Sequence, residues 1–444
     1  MHYARVIIAS EQQRAQATRL SGGVAEVSGG VRLAEGKSAL ELTERAAHLL
    51  GLRDKQRVGV WRAAYGMRIG PYVGIMTNKR PGALPGFRGL RGRRENYTAL
   101  TRMAGEMGAV AFVFAVEDVD FAQRRVLGYA RVGGRWVPRE YPLPDVVYNR
   151  VPDRKSEVSL PVMRFKQQIK RLQPAVALFN PKFLNKWELY GLLAKQPELT
   201  PFVPETCLYR EPKDLVDMLR KHDMVYLKPQ DTFAGRGIMR VWRKGQKLVL
   251  SYKDGAKYRH AAYTGTDALL RAFVARRAGS RYLLQEGLRL AKLRGAIFDV
   301  RVLVQKNNQG QWEVTGIGVR VAAPGGITTH VPNGGHIAPL DTVLNEVFGE
   351  SAGRPQGLRD EIEALALKVA PAIERGVGSL FGEMSMDIGI TEAKKCYFFE
   401  ANAKPMKFDE PAIRVKSLRR LVEFSRYLAG YQSSGGQSGV SIQD

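Results

Sequence analysis

Phe381-Gly382-Glu383-Met384-Ser385-Met386-Asp387-Ile388-Gly389-Ile390, a short polar turn, and Cys396-Tyr397-Phe398-Phe399-Glu400-Ala401-Asn402-Ala403-Lys404-Pro405 read as the two strands of a β-hairpin. The turn centres near Ala393–Lys394. In a symmetric hairpin the numbers of facing residues share one sum, so Asp387 faces Glu400. Glu400 and Asn402, two apart, lie on one face. Carboxylates directly opposed on a sheet repel. A divalent cation between them removes the repulsion, and Asn402 adds a third hard oxygen. So sparse a set leaves room for phosphate oxygens and suits Mg²⁺. The alternative is a solvated polar face, but Met384, Met386, Ile388, Phe398 and Phe399 make the surroundings strongly apolar.

Outward from the hairpin, Val225-Tyr226-Leu227-Lys228-Pro229-Gln230-Asp231-Thr232-Phe233-Ala234-Gly235-Arg236-Gly237-Ile238 is a strand, a glycine-containing loop and a return to strand. A Walker loop opens a helix and ends in Gly-Lys-Ser/Thr, so this is not one. Its backbone N–H groups can still fold over phosphates, with Gly235 and Gly237 permitting close approach and Lys228 fixed on the strand as a positive charge. An ordinary hairpin with a surface lysine is the plainer reading. Tyr282-Leu283-Leu284-Gln285-Glu286-Gly287-Leu288 is an apolar strand ending in a polar hinge, where backbone groups can read an adenine edge. Arg301 in Phe298–Val304 and Arg320 in Gly316–Val321 alternate with apolar residues, and a strand arginine pairs with a carboxylate or a phosphate. A structural ion pair is as good a reading for either alone.

The periodicity predicts strands at Arg5–Ile8, Arg57–Arg62, Pro71–Met76, Ala109–Val116, Pro144–Arg150, Met224–Lys228 and Phe298–Gln305. It predicts helices at Ala39–Leu49, Asn96–Met107, Pro212–Lys221, Gly265–Arg277, Gly357–Arg375 and Ile413–Leu428. Asn180-Pro181 reads as the start signal of a helix over Lys182–Lys195. The chain divides into a small β-rich module (1–67), an α/β unit (68–178), a two-lobed α+β portion (179–430) and a Ser/Gly/Gln-rich tail (431–444) expected to lack structure.

With 444 residues and 44% hydrophobic content, the chain is long enough for roughly two to four domains and too apolar for disorder. No apolar run approaches the ~18 residues that span a bilayer, and no signal-peptide pattern opens the chain, which points to the cytoplasm. Two distant cysteines, Cys207 and Cys396, exclude a disulfide framework and a cysteine-built zinc cluster. The net charge of +26 favours polyanionic partners. Between Arg53 and Glu95 alone, eleven basic residues face two acidic ones, so either a solvated face or an electropositive docking surface lies there. Gly86-Phe87-Arg88-Gly89-Leu90-Arg91-Gly92-Arg93-Arg94 interleaves Gly and Arg as nucleic-acid-binding loops do.

Taken in order, these motifs resemble the ATP-grasp superfamily, and over about residues 68–428 the chain resembles the endospore coat-associated YheC/YheD family within it. The likeness rests on Asn185-Lys186-Trp187-Glu188-Leu189-Tyr190, Leu227-Lys228-Pro229, Gly235-Arg236-Gly237, Gln285-Glu286-Gly287, Asp299-Val300-Arg301, Asn333-Gly334-Gly335, Asp387 and Glu400-Ala401-Asn402-Ala403-Lys404-Pro405. Ile69–Ile75 and Pro144–Arg154 resemble that family's N-terminal half. The resemblance implies an ATP-grasp fold of two lobes behind an N-terminal α/β pre-ATP-grasp domain, with ATP between the lobes. It implies that Lys186 and Lys228 contact phosphates, covered by the loop of Asp231, Thr232, Gly235, Arg236 and Gly237, with Asn333 nearby. Gln285, Glu286 and Leu288 would form the adenine hinge. Asp387, Glu400 and Asn402 would hold Mg²⁺, and Arg301, Arg320 and Lys404 would sit by the transferred phosphoryl group. The implied reaction joins a carboxylate to an amine or thiol with ADP formed. The charge points to an acidic peptide or a nucleic-acid-linked amino acid as substrate. A spore-coat protein that keeps nucleotide binding without turnover, and a nucleic-acid-binding protein built on the 53–95 region, are the competing readings.

Overall fold

The structure, a computed structural model, describes residues 2–431 except 10–18, 24, 29–30, 34–38, 64–65, 231, 233–234, 256, 330, 332–333, 350–354 and 407. Four sheets organise these residues. The first has seven strands, in the order Ala25–Ser28, Arg19–Gly22, Gly66–Ile69, Arg57–Ala63, His2–Ala9, Ala39–Thr43, Val31–Leu33. The helix expected over Ala39–Leu49 is half strand. Leu40 and Leu42 alternate with polar residues and pair with Val6 and Ile8, and the helix begins only at Glu44, capped by the Thr43 hydroxyl. Long-range pairing overrides local helical spacing here.

The second sheet runs Arg135–Pro142, Arg125–Val132, Val110–Asp120, Tyr72–Thr77, Val146–Asn149, Ala177–Phe179, and its last four strands are parallel. Tyr72–Thr77 is buried along its whole length, as a central parallel strand covered on both faces must be. From Tyr72–Thr77 the chain crosses through helix Arg94–Glu106 to Val110–Asp120 on one side and later returns at Val146–Asn149 on the other. The carboxyl ends of these strands therefore flank a topological switch. The first two sheets share one apolar cluster, with Val6, Leu40 and Val60 of the first meeting Phe112, Phe114 and Val147 of the second.

The third sheet, antiparallel, runs Thr206–Tyr209, Tyr282–Glu286, Met224–Pro229, Met239–Lys244, Lys247–Asp254, Lys257–Tyr263. Helices Pro212–Lys221 and Thr266–Arg277 close its core around Leu227, Val241, Leu269 and Phe273. The fourth, also antiparallel, runs His336–Ala338, Trp312–Val321, Ala296–Lys306, Glu383–Ile390, Cys396–Asn402. Helix Pro355–Val377 covers one of its faces, burying Met384, Met386 and Ile388. Helix Pro411–Leu428 lies across strands Ala296–Lys306 and Trp312–Val321, where Gly316 leaves the space that Ile413 fills.

Two expectations at chain joints are corrected. Asn180-Pro181 does not start a helix. Asn180 is fully buried at φ 53°, donates to the carbonyls of Glu383 and Ala403, and accepts from Gly382 N, so it ties the second sheet to the fourth. The helix is Lys186–Leu193, and its cap is Asn185. The tail expected from residue 431 lies outside the described residues from 432 onward. Tyr431 itself is buried, edge-on to Trp61 with its hydroxyl on the carbonyl of Ile69. No helix is long and apolar enough to cross a membrane among the described residues.

Candidate active site

The hairpin forms in the expected register. Asp387 faces Glu400 and Ser385 faces Asn402, with a shift in pairing only beyond Asp387. Because side chains alternate, Glu383, Ser385 and Asp387 share one face of their strand while Met384 and Met386 point into the core. On the neighbouring strand Asp299 stands opposite Arg320. Arg320 donates Nε to Asp299 Oδ1 at 2.8 Å and Nη2 to Asp299 Oδ2 at 2.7 Å, and lies 2.6 Å from Asp387 Oδ2. The Thr329 hydroxyl also donates to Asp299. Burial alone would lower the Arg320 guanidinium, but Asp387 and Asp299 hold it above its ordinary value. Burial raises the Asp387 carboxyl, with Arg320 pulling against it.

The third sheet supplies the opposite wall. Lys228, on strand Met224–Pro229, donates to Gln285 Oε1, and Gln285 Nε2 donates to Thr206 Oγ1 at 2.9 Å. The lysine lies 5.3 Å from the centre of the Phe399 ring and 5.8 Å from that of Tyr226. Burial, helped by the nearby Lys186 charge, lowers its ammonium to about 8. Lys186 opens helix Lys186–Leu193, where the Asn185 side chain accepts from Trp187 N and Glu188 N. Its Nζ is 3.2 Å from Glu400 Oε2. One cleft is lined by Lys186, Lys228, Gln285, Glu286, Leu288, Asp387 and Glu400, together with Tyr226, Asp299 and Phe399. Lys228 and Glu286 stand on the third-sheet wall, Asp387 and Glu400 on the fourth, and Lys186 is paired with Glu400.

In the loop after strand Met224–Pro229, Thr232 donates to the Arg236 carbonyl at 2.8 Å, and Gly235 and Gly237 take φ of 71° and 72°. A side chain at Gly237 would be strained, and its Cβ would come within 3.0 Å of Pro229. Asp231 and Asn333 lie outside the described residues. Asn402 donates to Glu400 Oε1 at 3.1 Å.

Thr232, Gly235, Arg236, Gly237 and Asn402 do not line the cleft, and neither do the three expected phosphoryl-side cations. Arg320 lies beneath it, held by two carboxylates. Arg301 shares the sheet face but donates to Ser385 Oγ at 3.1 Å and stacks over Phe408. Lys404 sits elsewhere. It is 4% exposed, donates to Glu157 Oε1 at 2.7 Å and to the Val151 carbonyl at 3.0 Å, and rests on the Phe183 ring. Burial brings its ammonium down to about 7 in spite of Glu157. In place of a phosphate partner it has a carboxylate from the second-sheet portion of the chain. Conversely, sequence reasoning assigned nothing to Asp299, Tyr226 or Phe399. For Asp299 the signal was present, since it stands two residues from Arg301 and therefore on the same face.

A cation fits this donor set. Asp387 Oδ1 is buried with no hydrogen-bond partner among the described residues, an acceptor in want of a positive partner. No group of three or more His, Cys, Asp or Glu that could by itself hold a metal ion occurs among the described residues. Asp387, Glu400 and Asn402 would form an incomplete shell that phosphate oxygens would finish. Both cysteines are free.

The profile of the YheC/D-like ATP-grasp family matches residues 175–428, the span holding every wall of this cleft. The chain belongs to that family. Among curated proteins it is 30% identical over 394 residues to endospore coat-associated protein YheD of Bacillus subtilis (strain 168), across 87% of this chain and 85% of that one. Endospore coat-associated protein YheC of the same organism is 22% identical over 327 residues, across 72% of this chain and 88% of that one. Among solved structures, VanG D-Ala:D-Ser ligase from Enterococcus faecalis aligns over 81% of this chain and 99% of its own with a TM-score of 0.47 and 10% identity. The YheC/D-like ATP-grasp assignment accounts for the two antiparallel sheets facing each other across the cleft.

Proposed function

We propose that this chain is an ATP-dependent ligase that joins a carboxylate to an amine or thiol through an acyl phosphate. The observation that carries the reading is that Lys228 on the third sheet faces Asp387 and Glu400 on the fourth across one cleft, with Lys186 paired to Glu400 and one Asp387 oxygen left without a partner among the described residues. Residues 179–430 would supply this cleft and residues 68–178 the platform for the carboxylate substrate. Lys228 and Lys186 would hold phosphates, and the loop through Thr232, Gly235, Arg236 and Gly237, with Asp231, would cover them. Gln285, Glu286 and Leu288 would meet the base. Asp387, Glu400 and Asn402 would hold Mg²⁺, which supplies charge neutralisation for the triphosphate. With the metal held there, Lys186 would pass from Glu400 to phosphate, since metal and ammonium would compete for one carboxylate.

In the reaction the substrate carboxylate oxygen bonds to the γ-phosphorus as the bond to the β-phosphate oxygen breaks, giving acyl phosphate and ADP. The amine or thiol then adds to the carbonyl, loses its proton to solvent, and inorganic phosphate leaves. Arg301 and Arg320 share the sheet face that leads into the cleft, but Arg320 is held by Asp299 and Asp387, so the phosphoryl-side role falls to Arg301. Arg320 instead positions Asp387 and Asp299, and Lys404 anchors the strand that carries Glu400 and Asn402.

The test is ADP release by the full chain with Mg²⁺-ATP and pools of amino acids and acidic peptides. Release stimulated by a pool and lost in Lys228→Ala and Glu400→Ala supports the reading. Unstimulated behaviour across broad pools counts against turnover. The names of the two Bacillus relatives favour a second reading, a spore-coat protein that binds nucleotide without ligating. It predicts Mg²⁺-ATP binding with no pool-stimulated release.

A further inference from the structure

We propose that a second cavity, distinct from the nucleotide cleft, takes a carboxylic acid with an apolar body. Its role as a substrate pocket rests on the ligase reading, whereas its ligand chemistry does not. The cavity lies between helix Arg94–Glu106, the carboxyl end of strand Val146–Asn149, the fourth sheet and helix Pro411–Leu428. This is the carboxyl side of the parallel strands at their topological switch, where open α/β sheets bind ligands. Tyr97, Leu100, Leu303, Phe408 and Leu418 give it an apolar lining.

Three charged groups break that lining in a way that selects for an anion. Arg150 lies 3.5 Å from Glu383 and donates to the Tyr148 hydroxyl at 3.1 Å and the Pro405 carbonyl at 3.4 Å. Glu383 is occupied in turn by Tyr148 and by Gln305 Nε2 at 3.0 Å. Arg414, half-buried on the rim, has no ion-pair partner among the described residues. The lone acid is thus neutralised within the wall, and one arginine remains to meet a ligand charge. That net positive charge repels an amine and attracts a carboxylate.

The cavity also reaches the chemistry. Glu383, Ser385 and Asp387 follow one another on a single face, and Glu383 lines the cavity while Asp387 lines the nucleotide cleft. The separation along the strand is roughly 13 Å. Arg301 stands between, on Ser385 and over the Phe408 ring, which itself lines the cavity. An acid lying along this stripe keeps its body among Tyr97, Leu100 and Leu418 and its reacting end toward Arg301.

The experiment is isothermal titration of the full chain, without nucleotide, with 3-phenylpropionate, 3-phenylpropan-1-ol and 3-phenylpropan-1-amine. Saturable binding of the acid, at least tenfold weaker binding of the alcohol and none of the amine are expected. Arg414→Ala, which removes the rim cation, and Ala99→Trp, which fills the cavity from helix Arg94–Glu106, should each weaken the acid at least tenfold. Both should titrate with Mg²⁺-ATP as the wild type does. Acid binding retained in Lys228→Ala while Mg²⁺-ATP binding is lost supports the cavity independently of the ligase reading. No saturable binding of the acid, an alcohol bound as tightly, or an acid affinity unchanged in both cavity variants overturns the proposal.

Discussion

Burial and the Lys186 charge bring the Lys228 ammonium to about 8, so its charge is present below that value and absent above it. Phosphate favours the charged form, and the affinity for Mg²⁺-ATP should therefore fall as pH rises through 8 toward the ordinary lysine range. In Lys228→Arg, whose guanidinium stays charged, the affinity should hold level over the same range; a fall of equal slope in both proteins would show that Lys228 is not the titrating group. Arg320 acts on stability instead. Its removal in Arg320→Ala leaves Asp299 and Asp387 buried without their counter-charge, which should cost about 3–5 kcal/mol in urea unfolding. A loss below about 1 kcal/mol would mean that solvent reaches the pair. The facing of Asp387 and Glu400 was legible because both strands hold period two up to the turn. The surroundings of Lys404 were not, because its partner Glu157 lies 247 residues away in sequence and nothing local marks the pairing.

At the scale of elements, Asn185 and Lys186 act together. The cap fixes the first turn of helix Lys186–Leu193, and Lys186 is the first residue of that turn. Asn185→Ala should cost about 1 kcal/mol of stability. It should also weaken Mg²⁺-ATP binding, whereas a loss of stability with nucleotide affinity intact would separate the cap from the site. Helix Pro411–Leu428 makes a sharper comparison. A Cβ at Gly316 would come within 2.5 Å of the branched Ile413 side chain, but one at Gly318 would meet only the end of the Glu410 carboxylate. Gly316→Ala should therefore destabilise by about 1–3 kcal/mol and displace the helix, while Gly318→Ala should be milder, as thermal unfolding would show. Equal effects would mean that the helix does not bear on Gly316 in solution. The terminal helix itself was readable from its periodicity. The Ala39–Thr43 strand was not, since its partner in register is set by a sheet whose strands come from distant parts of the chain.

Over the whole molecule, one buried carboxyl joins the first sheet to the second. Asp145 accepts from Tyr72 N at 2.7 Å and from Arg68 at 3.3 Å, while Arg68 also covers the Tyr431 ring. Burial raises its pKa from 3.8 to about 6, against the pull of the Tyr72 N–H and Arg68. Between those values the folded chain keeps a proton that the unfolded chain releases, so this group favours folding most at the acid end and the advantage declines as pH rises to about 6. Asp145→Asn should flatten that part of the stability–pH curve, and an unchanged slope would place the titrating group elsewhere. Sheet number and the joint made by Asn180 could not be read from the sequence, because both depend on contacts between distant segments. The two-lobed architecture could, because its motifs are short and keep their order. The ligase reading requires that the cleft between the third and fourth sheets bind Mg²⁺-ATP. Calorimetric titration of the full chain with ATP, with and without Mg²⁺, beside Lys228→Ala and Glu400→Ala, tests it most directly. Metal-dependent binding at one site, weakened at least tenfold in both variants, is the expected result; binding that ignores the metal or survives both substitutions would contradict it.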